Sequence, residues 1–64
     1  MAKYKAKFPF IPDMGSVSDM IVSDSLGESK EENALWHLNS MRDHDGLANL
    51  EELPEGTVFE PIYE

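Results

Sequence analysis

Two histidines are the residues with the most evident chemical potential in this chain. His37 and His44 lie seven residues apart, which on a helix is two turns, or about 10 Å along the axis. That distance is too large for one metal ion, and a zinc-binding helix places its histidines four residues apart. Asp43 and Asp45, on either side of His44, point to different sides of a helix. The sequence therefore predicts no metal site, and His44 is explained by its favourable position near a helix C-terminus.

The acidic run that starts at Asp43 also fails as a calcium loop. An EF-hand has acids at alternating positions, glycine at the sixth and glutamate at the twelfth. The sixth residue counted from Asp43 is Ala48, and counted from Asp45 it is Leu50. Serines, histidines and acids form chance pairs, but the sequence contains no glycine-rich phosphate loop and no nucleophile elbow. We therefore expect no cofactor, no catalytic residue and no enzyme activity.

The only tryptophan, Trp36, is the residue that points most clearly toward a function. A helix through this region has an apolar face that consists of Ala34, Leu35, Leu38 and Met41. Trp36 lies about 200° from Ala34 on that helix, almost opposite the apolar face. Two explanations are open. Either residues 20–22, MIV, fold over the indole and bury it, or Trp36 is exposed and contacts another protein.

Charge is the dominant feature of the composition. The net charge is −8, and because Lys3, Lys5 and Lys7 supply three positive charges, residues 8–64 carry −11. Proteins that bind nucleic acids use lysine and arginine to neutralise phosphates, so direct binding of DNA or RNA is not expected. The expected partner is the basic surface of another protein. The alternative is that the charge only keeps a small protein soluble.

Size and cysteine content restrict the class further. At 64 residues the chain makes one domain, 1–64, of marginal stability. It has no cysteine, which excludes disulfides and thiolate sites and fits a reducing compartment. The start, MAKYKAKF, lacks the apolar run of a signal peptide, and no segment is long and apolar enough to span a membrane. We expect a soluble, cytoplasmic protein.

Strands are predicted at both ends of the chain. Residues 3–10, KYKAKFPF, alternate between a lysine face and an apolar face that consists of Tyr4, Ala6, Phe8 and Phe10. Residues 57–64, TVFEPIYE, place Phe59 and Tyr63 on one face and glutamates on the other. Pairing the two strands brings the glutamates opposite the lysines, which stabilises an antiparallel pair modestly.

A helix over about residues 30–45 is marked at both ends. Ser29 followed three residues later by Glu32 predicts a capping box, and Gly46 followed by Leu47 predicts a Schellman stop. The predicted fold class is α+β, with this helix packed on a short antiparallel sheet of N- and C-terminal strands. A two-stranded sheet is weak alone, so a homodimer is also expected.

The segment between the first strand and the helix is ambiguous. Within residues 16–29, Val17, Met20 and Ile21 have helical spacing, whereas Met20 to Val22 alone fit a short strand. The helical turn or irregular loop is favoured over the strand, with part of the segment mobile. The same apolar run, followed by Ser23 and Asp24, resembles SUMO-interacting motifs, which add a strand to a ubiquitin-like partner.

The predicted function is the inhibition of another protein by binding. In the most concrete form the chain is a DNA mimic, presenting carboxylates where a nucleic-acid enzyme or defence protein expects phosphates while Trp36 enters an apolar pocket. The predicted partner-binding residues are Trp36, Glu31, Glu32, Asn39, Asp43, Asp45, Glu51 and Glu52. In size, charge and lack of cysteine the chain resembles small acidic bacteriophage proteins that disable host enzymes. The alternative function is that of a structural accessory subunit that binds through its aromatic strands.

Overall fold

The computed structural model describes residues 2–24 and 29–63 and has one helix on one face of a three-stranded sheet. The strands are β1 (Lys3–Lys7), β2 (Met20–Ser23) and β3 (Val58–Ile62), and the helix is α1 (Lys30–His44). The strand order is β2-β1-β3, and both pairs are antiparallel. This arrangement confirms the predicted α+β fold, with a helix on paired N- and C-terminal strands.

The pairing of β1 with β3 places opposite charges side by side. Lys5 lies opposite Glu60, and Lys7 lies opposite Val58. The Lys7 ammonium contacts the Glu60 carboxylate at 2.8 Å, and this contact raises the pKa of Lys7 and lowers that of Glu60. The predicted pairing of lysines with glutamates is therefore present, and it brings residue 3 beside residue 62.

The segment 16–29 contains a third strand, so the favoured helical turn is wrong. Met20 pairs with Ala6 and Val22 with Tyr4, which places β2 along the free side of β1. Val22 is buried, and β-branched side chains pack well on a pleated surface. Tertiary pairing therefore decides between two local patterns of similar strength. The predicted mobility of part of segment 16–29 stays a prediction, and residues 25–28 of that segment lie outside the described residues.

Both predicted ends of the helix are confirmed by their hydrogen bonds. The Glu32 N–H donates to the Ser29 hydroxyl at 3.2 Å, which is the first bond of the predicted capping box. The Glu32 carboxylate accepts from that hydroxyl rather than from the Ser29 N–H, so Ser29 caps the helix without the second bond of the box. At the other end Gly46 has φ 76°. The Leu47 N–H donates to the Arg42 carbonyl and the Gly46 N–H to the Asp43 carbonyl, which are the two bonds of a Schellman motif.

The core between helix and sheet consists of small side chains. Ala6, Val22 and Ala34 form one buried cluster, and Leu38 is fully buried. The half-buried side chains around this cluster are Tyr4, Phe8, Met20, Leu53 and Phe59. Ala34 on α1 and Ala6 on β1 share this cluster with Val22 of β2, the strand on which the helix mainly packs.

Three apolar residues predicted for the core are exposed instead. Tyr63 is 89% exposed and Phe10 is also exposed, because each lies beyond the end of its strand, where the sheet no longer positions the side chain. Met41 is 41% exposed, whereas Arg42 is only 4% exposed. Residues 47–53 pack on the Arg42 side of the helix, which moves the buried face away from Met41.

The remaining findings concern membranes and metals. Among residues 2–24 and 29–63, no helix has both the length and the apolar character needed to cross a bilayer. In the same residues, no three histidine or acidic side chains come close enough together to hold a metal ion.

Candidate functional site

The segment that follows the helix forms one wall of the candidate site. After the Schellman stop at Gly46, residues 47–53 run back along the helix toward its N-terminus, and we call them the return segment. Asn39 fixes this segment: its amide donates to the Leu50 carbonyl at 3.0 Å and accepts from the Leu50 N–H at 2.8 Å. Both polar atoms of Asn39, a predicted binding residue, are therefore used within the fold.

Two surface depressions lie along the seam between helix and return segment. The first, which we call the tryptophan cleft, has a volume of about 410 Å³ and is lined by Trp36, Asn39, Ser40, Asp43 and Asn49. The second, the glutamate groove, has a volume of about 360 Å³ and is lined by Glu31, Glu32, Leu35, Glu51, Glu52 and Leu53. The Asn39–Leu50 bonds lie between them.

Trp36 is exposed, and this excludes the explanation that residues 20–22 cover it. The side chain is 66% exposed, while Val22, the last residue of the supposed cover, is buried between sheet and helix. The indole contacts His37 edge to face, with ring centroids 5.1 Å apart. In the described part of the chain, no group bonds the side chains of Ser40, Asp43 and Asn49. The tryptophan cleft thus combines an open aromatic surface with unpaired polar groups.

The glutamate groove has an apolar floor and an acidic rim. Leu35 and Leu53 are half-buried and supply the floor, while the four glutamates are exposed around it. The rim brings together residues from the first helical turn and from the return segment that are about 20 positions apart. Four of the predicted binding residues therefore lie in one groove.

Lys30 modifies the charge at one end of this groove. Its ammonium lies 2.8 Å from the Glu31 carboxylate and 4.9 Å from the centre of the Tyr4 ring. The hydrogen bond from Lys30 lowers the pKa of Glu31, and the same bond raises that of Lys30. The positive charge of Lys30 therefore offsets part of the negative charge of Glu31, which stays ionised. Within residues 2–24 and 29–63, Glu51 and Glu52 are the groove carboxylates that accept no bond from another protein group.

Asp45 is the predicted binding residue that lies apart from both surfaces. It lines a third depression with Ser40, Met41 and His44, and its backbone forms the C-cap of the helix. Asp43 faces the tryptophan cleft instead. Two acids only two residues apart thus face different surfaces, which makes them a matched pair for experiments.

An ion pair between the buried Arg42 and the half-exposed Asp13 supports the C-terminal end of the helix, and the sequence analysis missed it. The Arg42 guanidinium donates to both carboxylate oxygens of Asp13 at 2.9 Å, and its Nε–H donates to the Ala48 carbonyl at 2.7 Å. The Arg42 hydrogen bonds lower the pKa of Asp13. These bonds connect the turn at residues 11–15, which contains Asp13, with the C-terminal end of α1 and with the return segment.

Sequence signals for the missed residues were present but weak. Arg42 follows Leu38 by four residues on the buried side of the helix, so its position indicated burial although its type did not. Leu35 was assigned to the apolar face of the helix, and nothing in the types of Leu35 and Leu53 distinguishes a groove floor from a core. Ser40 and Asn49 carry no local signal, because the cleft exists only where the return segment meets the helix.

Comparisons with known protein families, with curated proteins and with solved structures find no match to this chain. Function is therefore inferred from the residues and the surfaces that they form.

Proposed function

We propose that this protein binds another protein through the tryptophan cleft and the glutamate groove, and inhibits it. The observation that carries this proposal is the exposure of Trp36 at 66% on a helix whose opposite face already fills the core. Tryptophan is enriched at the energetic centres of protein interfaces. An exposed indole beside unpaired polar side chains is the composition expected of such a centre.

Charge supports a basic partner. The groove glutamates and Asp43 lie on the side of the molecule away from the sheet, whereas Lys3, Lys5 and Lys7 lie on the outer face of the sheet. Acidic side chains arrayed along one seam can occupy a site that ordinarily takes phosphates. We therefore propose a DNA mimic that blocks a nucleic-acid enzyme or defence protein, of the kind that bacteriophages use against a host.

Affinity capture from a bacterial lysate tests this function. The wild type should retain a nucleic-acid-binding protein that duplex DNA displaces, and Trp36→Ala combined with Glu32→Lys should lose it. The matched control is the single variant Glu55→Lys, which keeps Trp36. It makes the same charge change as Glu32→Lys, but in an exposed turn outside both surfaces. Circular dichroism establishes that each variant is folded. Equal retention by all three proteins, or a partner that DNA does not displace, contradicts the DNA-mimic function.

Salt dependence gives a second measurement on the same complex. Attraction between exposed charges is screened over about 8 Å at physiological ionic strength, so association should become slower as salt increases. An association rate that does not change with salt contradicts a binding face directed by carboxylates.

A second candidate function, that of an accessory subunit bound through its strands, is favoured by the uncovered outer face of the sheet. Ile21 is 58% exposed on that face, and Val58 is exposed at its other margin. Beyond the strand ends, the exposed aromatic rings of Phe10 and Tyr63 add apolar surface. A partner or a second copy of the chain would bury these residues.

The two sheet edges differ in their capacity to add a strand. The Asp24 N–H donates to the Ala2 carbonyl. Hydrogen-bonded and non-hydrogen-bonded pairs alternate along an antiparallel ladder. The backbone groups of Tyr4 and Ala6, two and four residues after Ala2, are therefore also directed to β2. The same alternation directs the backbone of Ile21 outward from β2 and that of Pro61 outward from β3. Pro61 has no N–H to offer, and on β2 the outward carbonyl of Ser23 already accepts from the Asn33 amide. The β3 edge thus lacks a donor, whereas the β2 edge has one acceptor occupied.

Paired substitutions separate the two candidates. Ile21→Ser with Val58→Ser should abolish partner retention or dimerisation if the strands bind, and should leave retention unchanged if the helix face binds. Sedimentation velocity reports the oligomeric state of both proteins. Retention lost with the strand variant but kept with the Trp36 variant would reject the inhibitor function.

A further inference from the structure

The polar side chains of the tryptophan cleft are arranged around an indole that is 66% exposed and contacts only His37 ring to ring within the described residues. Asn39 is bonded on both sides to Leu50, which leaves Ser40, Asp43 and Asn49 as the groups available to a ligand. Asp43 contributes only acceptors when ionised, and Ser40 and Asn49 each contribute an oxygen acceptor. The cleft therefore offers a carboxylate, two neutral acceptors and an indole.

That combination matches one kind of side chain. Trp36 and Asp43 are two helical turns apart, about 10 Å along the axis, so a ligand that contacts both must be long, with an apolar stem and a cationic end. Both side chains line the same cleft, on one face of the helix. The net charge of −11 on residues 8–64 favours a cation there over a neutral group.

We propose that the tryptophan cleft binds an arginine side chain of the partner protein. The methylene stem lies against the Trp36 indole, and the guanidinium donates to the Asp43 carboxylate and to the oxygens of Ser40 and Asn49. This inference rests on the proposed function and deepens it, because arginines that contact phosphates are the groups that a DNA mimic must occupy.

Arginine fits better than lysine for two reasons. Its planar guanidinium presents several donors in a fixed fork that matches a carboxylate, and it is more weakly hydrated than an ammonium. It also stacks on aromatic rings, and cationic contacts with tryptophan are the strongest of this type. A lysine ammonium also has donors for these acceptors, but it is a compact, strongly hydrated charge with no planar fork for the carboxylate and no flat surface to stack on the indole.

Nuclear magnetic resonance tests the inference without knowledge of the partner. Trp36 is the only tryptophan, so its indole N–H gives a single, unambiguous signal. The ¹⁵N-labelled protein is titrated with N-acetyl-arginine amide, with the lysine analogue, and with the citrulline analogue, which has the shape of arginine but no charge. The expected result is a saturable movement of the Trp36 indole and Asn49 amide signals with arginine, a weaker one with lysine and none with citrulline, all at matched ionic strength.

Two matched variants localise the interaction. Asp43→Asn should weaken arginine binding about two- to five-fold, the factor expected for loss of one exposed ion pair. Asp45→Asn makes the same charge change but faces the neighbouring depression, and it should leave binding unchanged. Equal effects of the two variants would mean that general charge attraction causes the shifts, which overturns the proposal.

Other outcomes also decide the question. Equal binding of citrulline, the absence of saturable shifts, or signal movement that depends on protein concentration rather than on ligand would each overturn an arginine site. Failure of the proposed function is distinguishable. If arginine binds but no partner is captured in a DNA-sensitive manner, the DNA mimic is rejected and the arginine site is kept. If a partner is captured and Asp43→Asn does not weaken that capture, the arginine site is rejected and the DNA mimic is kept.

Discussion

Removal of the Trp36 indole is predicted to leave the fold nearly as stable as the wild type. The side chain is 66% exposed, and full burial of a tryptophan removes up to about 250 Å² from water, so about 80 Å² is buried here. At about 25 cal/mol per Å², that area corresponds to about 2 kcal/mol as an upper bound. Alanine keeps part of the contact and has the higher helix propensity. We therefore expect Trp36→Ala to cost about 1 kcal/mol.

Leu38→Ala is the reference for a true core residue on the same helix. Leu38 is fully buried, and truncation of buried leucines to alanine costs about 2–5 kcal/mol. Domains of this length have a total unfolding free energy of about 3–10 kcal/mol. Truncation of Leu38 should therefore lower the free energy of unfolding several times more than truncation of Trp36, although leucine is the smaller side chain. Leu38→Ala should remove a large share of the total unfolding free energy.

Urea unfolding followed by circular dichroism measures both variants, because Trp36→Ala removes the fluorescent reporter. The reasoning predicts a small shift of the midpoint for Trp36→Ala and a large one for Leu38→Ala, with similar slopes. If Trp36→Ala cost about 3 kcal/mol or more, comparable to a core truncation, the indole would be internal packing. The basis of the proposed binding face would then be lost.

Three further predictions concern the supports of the site. Asp13→Asn should lower stability near neutral pH and reduce its dependence on acid. Since the hydrogen bonds from Arg42 lower the pKa of Asp13, their contribution is present above the usual carboxyl value of 3.8 and is lost as pH falls through the lower folded value. Equal pH profiles of urea midpoints for variant and wild type would contradict this. Gly46→Ala should cost about 1–2 kcal/mol in thermal or urea unfolding, purely from the φ of 76°, since an added Cβ meets no atom within 4 Å. An unchanged stability would show that the helix can end without this conformation. Asn39→Ala should release the return segment and accelerate hydrogen exchange at the Leu50 amide, and unchanged protection there would refute the role given to Asn39.

The parts of the fold that were predictable from sequence are those with local signals. The Ser29 cap and the Gly46 stop each depend on residues within a few positions, and they set the helix within one residue of its observed bounds. The alternation in the terminal strands predicted their pairing for the same reason. The strand at Met20–Ser23 was mispredicted because a four-residue apolar run fits either period until β1 lies beside it.

The burial of the Arg42 charge is the feature of the fold that could not be predicted from residue type. Met41 was assigned to the apolar face of the helix because of its type, yet Met41 is exposed and the neighbouring Arg42 is buried. The reason is a partner 29 positions away, Asp13, whose carboxylate matches the guanidinium on both nitrogens. A buried arginine needs such a partner to offset its desolvation, and a pairing over that distance is not visible in the helix pattern.

The predicted binding residues were found by charge and helical phase, and their division into two surfaces was not predictable. Trp36 and Asp43 share a helix face, which the sequence defines. Their separation from the glutamates depends on where the return segment crosses the helix, and that crossing is fixed by Asn39, a residue predicted to bind a partner. Long-range polar contacts of this kind decide the shape of a site without leaving a periodic signal.

Trp36 lies opposite the buried side of its helix. That buried side carries Ala34 and Leu38, and α1 packs on the sheet mainly through β2 with its buried Val22. Trp36 is 66% exposed and contacts His37, so most of its surface is open to a partner. The proposed binding surface and the core thus use opposite faces of one helix, and the return segment, fixed by Asn39 and Arg42, gives the proposed binding surface its shape.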